Sequence, residues 1–109
     1  MRHAEQLHAY LAAYARLDLP AIEALLAPDV RLQDWQISAE GRAAVLRETA
    51  ANFAASTSIE ITVRQVFEAP DGAAAWLHIV VNGRIALDVV DVLRFDGAGR
   101  ITEIRAFKG

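Results

Sequence analysis

Apolar residues at Ala4, Leu7, Leu11, Tyr14 and Leu17 recur at three- and four-residue steps, a spacing that gathers side chains on one face of an α-helix, and Tyr10 falls on that face too. Asp18-Leu19-Pro20 ends this helix and opens a second, because aspartate caps free N–H groups and proline fits a first helical turn. Ile22, Leu25 and Leu26 carry that second helix over Ala21 to Leu26, and Pro28-Asp29 closes it. The alternation Val30-Arg31-Leu32-Gln33-Asp34-Trp35 predicts a strand, and residues 36–41 a loop. After Gly41, the apolar positions from Ala43 to Phe53 predict a third helix, of about three turns.

From there the period changes to two. Ile59-Glu60-Ile61-Thr62-Val63 alternates, and the phase slips at Arg64-Gln65 before Val66-Phe67, as a β-bulge requires. Pro70-Asp71-Gly72 predicts a turn, Ala73 to Val81 a strand, and Asn82-Gly83 a two-residue hairpin. Ile85 to Phe95 forms a long strand, Asp96-Gly97-Ala98-Gly99 a tight connection, and Arg100 to Phe107 the closing strand. Three helices followed by hairpin-linked strands specify an α+β fold, with the helices packed on one face of a curved antiparallel sheet.

The length of 109 residues fits one domain spanning 1–109, since two would each lack a core. With 54% hydrophobic and 23% charged residues the chain is a packed globule and not a disordered segment. A net charge of -3 with dispersed arginines offers no field for phosphates, which argues against nucleic acid. The absence of cysteine removes thiolate nucleophiles and thiolate metal sites, and His3 and His8 lack carboxylate company, so no metal and no cofactor are expected. Met1-Arg2-His3-Ala4-Glu5 is no apolar leader, and no run approaches the length of a membrane span; the default expectation is a cytoplasmic protein.

The candidate chemistry lies in the strands. Period-two geometry puts Ile85, Leu87, Val89, Asp91, Leu93 and Phe95 on one side of the long strand, with Asp91 the sole charge among them. Burial penalises an ionised carboxylate, so an inward Asp91 holds its proton and becomes a hydrogen-bond donor, unless Arg64 or Arg105 pairs with it. Asp34 shares a side with Val30 and Leu32, directed at the same hollow or capping the next loop in water. With Tyr10 entering from the first helix, three titratable groups converge in an apolar pocket. Tyr14, Trp35, Phe53, Trp76, His78 and Phe107 are its candidate lining, or simply core.

Two stretches give this constellation a family likeness. Tyr10 through Leu-Ala-Ala-Tyr-Ala-Arg-Leu-Asp-Leu-Pro to Asp34, and Val90-Asp91-Val-Leu-Arg-Phe-Asp-Gly-Ala-Gly-Arg-Ile through Phe107, resemble the ketosteroid isomerases of the nuclear-transport-factor-2-like superfamily, which also holds the SnoaL-like cyclases. The resemblance implies a cone-like barrel around an apolar pocket, Asp34 as general base, and Tyr10 and Asp91 as oxyanion donors. That division of roles belongs to the ketosteroid isomerases themselves and comes with the likeness. It further implies a small apolar ligand bearing a carbonyl, and a homodimer formed through the outer face of the sheet. His78 stands as an alternative base, as in some dehydratases of the superfamily. Trp35 departs from the proline that the isomerases usually carry, and the loop to Gly41 is shorter than theirs. Other functions on this fold are a non-catalytic ligand-binding or dimerisation module, a SnoaL-like cyclase, and an epoxide hydrolase; the last requires Arg64 or Arg105 to point inward.

Overall fold

A computed structural model describes residues 3–109; Met1 and Arg2, and with them the start of the segment read as no leader, lie outside the described residues. Helix α1 runs His3–Ala15 and buries Leu7, Tyr10, Leu11 and Ala13. It ends where Leu17 adopts φ 58° and Asp18 N–H donates back to the Ala13 carbonyl at 3.0 Å. Asp18 then caps α2, Leu19–Leu25, its Oδ1 accepting from Ala21 N at 3.1 Å.

Two sequence expectations fail at this point. Strand β1 starts directly at Leu26 and runs to Gln33, so Pro28-Asp29 lies inside a strand instead of closing a helix. Proline has no N–H for the ladder, and the pairing of β1 with its neighbour slips between Leu26 and Arg31, where that break is tolerated. The stretch read as a loop contains a short edge strand, β2, Ser38–Glu40, antiparallel to β1.

Helix α3 spans Arg42–Ala54. Strands β3 (Ile59–Ala69), β4 (Gly72–Val81), β5 (Ile85–Phe95) and β6 (Ile101–Lys108) follow. β3 carries its bulge between Val63 and Gln65. Val81 pairs with Ile85, so the hairpin connection holds three residues, 82–84, and not two. Asn82 and Gly83 both take positive φ, 57° and 68°. Asn82 tolerates this because its Oδ1 accepts from Thr57 N at 2.7 Å, tying the hairpin to the loop between α3 and β3. Gly72 opens β4 pressed against the Leu93 carbonyl, where a Cβ has no room.

The six strands form one sheet in the order β2-β1-β6-β5-β4-β3. β1 and β6 run parallel, so the sheet is mixed and not wholly antiparallel. Its edge strands β2 and β3 do not meet; the sheet curls like a cone without closing into a barrel. α1 lies across β3 and β4, and α3 across β1 and β2. Leu7, Ile22, Leu26, Val45, Leu77, Leu93 and Ile101 fill the space between. At one end of this core the packing gives way to a hollow.

Candidate functional site

The hollow is a cavity of about 470 Å³ between α1, α3 and the concave face of the sheet, inside the size range of small-molecule sites. Its floor is aliphatic, with Ile61, Ile79, Leu87, Val89 and Ile104. Tyr10 and Tyr14 enter from α1, Asp34 and Trp35 from the end of β1, and Glu48, Thr49 and Asn52 from α3. Asp91 enters from β5, because the alternation of that strand turns Val89, Asp91 and Leu93 inward together.

Asp91 is 9% exposed. Its cross-strand neighbours are Ala75 on β4 and Ala106 on β6, two side chains too small to cover the carboxyl or to bond with it. Among the described residues it has no hydrogen-bond or ion-pair partner. Burial, helped by the charge of Asp34, raises its pKa from 3.8 to about 7, so the carboxyl keeps its proton in mildly acidic solution. The arginines that the sequence offered as partners are engaged elsewhere. Arg105 Nε donates to Glu103 Oε2 at 2.8 Å, and the Arg64 guanidinium lies 5.7 Å from the centre of the Trp76 ring. Among the described residues no arginine lines the cavity, so neither Arg64 nor Arg105 takes the inward place that the epoxide-hydrolase arrangement requires.

Asp34 follows the last residue of β1 and does both things the sequence left open. Its Oδ1 accepts from Gln36 N and Ile37 N, each at 2.7 Å, closing the loop into β2. Its Oδ2 takes no hydrogen bond from the described residues, and the residue lines the cavity. The local turn therefore holds the carboxyl in place while leaving one oxygen for a ligand.

Tyr10 is 6% exposed, and burial above all, then the neighbouring Tyr14, Asp91 and Asp34, drives its phenol well above the usual range. Tyr14 lies beside it, ring centres 5.8 Å apart, and receives a hydrogen bond at 2.6 Å from Asn52 Nδ2. Burial raises the pKa of Tyr14 as well, against the lowering effect of that bond. Both phenols thus hold protons they can donate.

Of the residues singled out in the sequence, Tyr10, Tyr14, Asp34, Trp35 and Asp91 meet at this one cavity. Four do not. Phe53 packs edge-on against Tyr14 at 4.9 Å, behind the lining and outside it. Trp76, His78 and Phe107 face the opposite side of the sheet, because the pairing of Ala75 and Ala106 with Asp91 fixes the inward phase of β4 and β6 one residue away from each. On that outer face His78 sits 3.3 Å from Asp88, and Trp76 and Phe107 are 46% and 53% exposed. Glu48, Thr49 and Asn52 line the cavity and were missed; their spacing of one, three and four residues along α3 was the available signal. Among the described residues no group of three His, Asp or Glu side chains is placed to hold a metal ion, and no helix is long and apolar enough to cross a membrane.

Residues 7–104 match the family model of the SnoaL-like domain. No curated protein matches the chain. Among solved structures, a Mycobacterium tuberculosis protein superposes with a TM-score of 0.85 at 21% identity, over 95% of this chain and 91% of its own. A nuclear-transport-factor-2-like protein of unknown function from Cytophaga hutchinsonii gives 0.84 at 14% identity, over 100% and 91%. A Kribbella flavida protein provisionally named a ketosteroid isomerase gives 0.83 at 22% identity, over 96% and 76%. At these identities the likeness is one of fold.

Proposed function

Because the chain belongs to the SnoaL-like domain family, we propose that it is a cofactor-independent isomerase that moves a proton next to a carbonyl in a small apolar ligand. The observation that carries this reading is the meeting of Asp34, Tyr10 and Asp91 at one apolar cavity, with Asp91 buried and unpartnered. In the first step Asp34 Oδ2 takes the proton from the carbon beside the carbonyl. The electrons move to the carbonyl oxygen, and the enolate accepts hydrogen bonds from the Tyr10 hydroxyl and the protonated Asp91 carboxyl. Asp34 then returns the proton at the far end of the conjugated system. The net change is a shifted double bond, so no oxidant, water or cofactor enters. Asn52 holds the Tyr14 hydroxyl, and Tyr14 packs beside Tyr10, fixing the donor side of the site.

The test is a β,γ-unsaturated ketone incubated with the protein and followed in the ultraviolet. The conjugated product is expected to accumulate, with kcat/KM falling as pH rises through about 7, where Asp91 loses the proton it donates. A protein that binds the ketone without converting it is a binding module of the same fold, and the isomerase reading then fails.

The outer face of the sheet supports a second element of the reading, a homodimer. Trp76, Val90 and Phe107 lie side by side in one cross-strand row, and Phe67 stands exposed on β3. Exposed aromatic residues in a continuous band mark contact surfaces. Sedimentation is expected to give the mass of two chains for the natural protein and of one chain for Trp76→Glu; a monomer in both cases contradicts the dimer.

A further inference from the structure

The charge of the cavity is one-sided. Asp34, Asp91 and Glu48 line it, and among the described residues no lysine, arginine or histidine does. Two basic groups stand beside its rim and outside the lining: the Lys108 ammonium, 5.7 Å from the centre of the Trp35 ring, and the Arg105 guanidinium, held by Glu103. Three aromatic rings, Tyr10, Tyr14 and Trp35, share the wall with the carboxyls. Asp91 is buried to nine-tenths and opens on this space without a partner, which is rare for a carboxyl because desolvation goes uncompensated.

A ligand carrying positive charge on an apolar body supplies what is missing. We propose that this cavity is a binding site for a small tertiary or quaternary alkylammonium compound, its charged nitrogen against Asp91 and its alkyl groups among Tyr10, Tyr14 and Trp35. Aromatic faces attract such cations through their quadrupole, and a weakly hydrated alkylammonium loses little on leaving water. Anionic ligands meet three carboxyls and, among the described lining residues, no counter-charge, so they are disfavoured.

This goes beyond the proton-transfer reading. It shares the cavity but requires Asp91 in its ionised form, whereas an enolate requires the neutral form. The titratable groups facing Asp91 are Tyr10 and Tyr14 from α1, Asp34 beyond β1 and Glu48 from α3; β4 and β6 bring only Ala75 and Ala106 beside it, with Lys108 at the far end of β6. Burial holds both phenols above their ordinary range, so they stay protonated near neutrality, while Asp91 changes charge at about 7. Cation binding is therefore favoured on the alkaline side.

The chain has two tryptophans, and Trp76→Phe leaves Trp35 at the cavity rim as the sole tryptophan, excited on the red edge where Tyr10 and Tyr14 do not absorb. That variant is titrated with benzyltrimethylammonium, with its uncharged carbon isostere neopentylbenzene, and with phenylacetate. Near pH 8.5 the cation is expected to bind about tenfold more tightly than the isostere, and to weaken about tenfold towards pH 5.5. The isostere's affinity stays flat with pH, phenylacetate does not bind, and adding Asp91→Asn removes the pH dependence for the cation. Equal binding of cation and isostere at the alkaline end, binding of phenylacetate, or pH dependence surviving Asp91→Asn overturns the inference. The ketone assay separates the two readings: turnover without cation binding overturns this one alone, and cation binding without turnover supports it while the isomerase reading falls.

Discussion

Asp91→Asn is expected to stabilise the protein at about pH 8.5 by up to about 4 kcal/mol and to leave stability nearly unchanged at about pH 4. The carboxyl's pKa is raised from 3.8 to about 7 in the folded protein, burial being the larger cause and the charge of Asp34 the smaller. Between those two values the folded state holds a proton that the unfolded chain has released, so stability falls as pH rises through the window. Below it both states are protonated and nothing is lost. Above it the full cost of a buried, unpartnered charge is present, and three pKa units correspond to about 4 kcal/mol. Asparagine has the shape of the neutral acid and no charge to bury, so it escapes that cost. Urea denaturation of both proteins at the two pH values measures the effect as a double difference, in which the remaining carboxylates cancel. A gap that stays constant with pH contradicts the burial of Asp91. The account thus predicts a residue retained at the expense of stability, as is usual where a group serves a site.

Asp34→Asn is expected to lower kcat for the β,γ-unsaturated ketone by about 10²–10⁴-fold, the range for loss of a positioned general base. The asparagine side-chain oxygen can still accept from Gln36 N and Ile37 N, so the loop into β2 keeps its closure and the fold its stability. What disappears is the basicity of Oδ2, the oxygen that the loop hydrogen bonds leave unused. KM is expected to change little, because the aliphatic floor of Ile61, Ile79 and Val89, on which the proposed ligand's apolar body would rest, is untouched. Steady-state kinetics beside a thermal melt decide the matter: turnover unaffected by the substitution removes Asp34 from the chemistry, whereas a large fall in melting temperature assigns it to the loop alone.

Much of this arrangement is legible in the chain because it rests on local rules. The helix periods, the Asp18 cap, the bulge after Val63 and the inward turn of Asp91 on β5 follow from spacing and neighbours. The phase of β4 does not. Its sequence from Gly72 to Val81 is apolar on both faces, so nothing local says whether Ala75 and Leu77 or Trp76 and His78 turn inward, and only pairing with Asp91 and Val89 decides. Phe107 differs: it shares its side of β6 with Glu103 and Arg105, so the alternation of that strand already marks it as outward, and its pairing with Val90 places it there. The parallel pairing of β1 with β6 joins segments more than seventy residues apart, and it turns the stretch after Leu26 into strand against the local signal of Pro28. On α3, alanine dilutes the apolar stripe, and the spacing of Glu48, Thr49 and Asn52 puts them on one face without saying that this face meets a cavity until α3 is laid across β1 and β2.

Both functional readings depend on one carboxyl that changes charge near neutrality while facing an apolar cavity. The most direct measurement is a pH titration of the aspartate side-chain carboxyl carbons by ¹³C NMR, on the natural protein and on Asp91→Asn. The account predicts one aspartate titrating at about 7, missing from the variant. An Asp91 resonance that titrates in the ordinary acidic range of free carboxylates contradicts it.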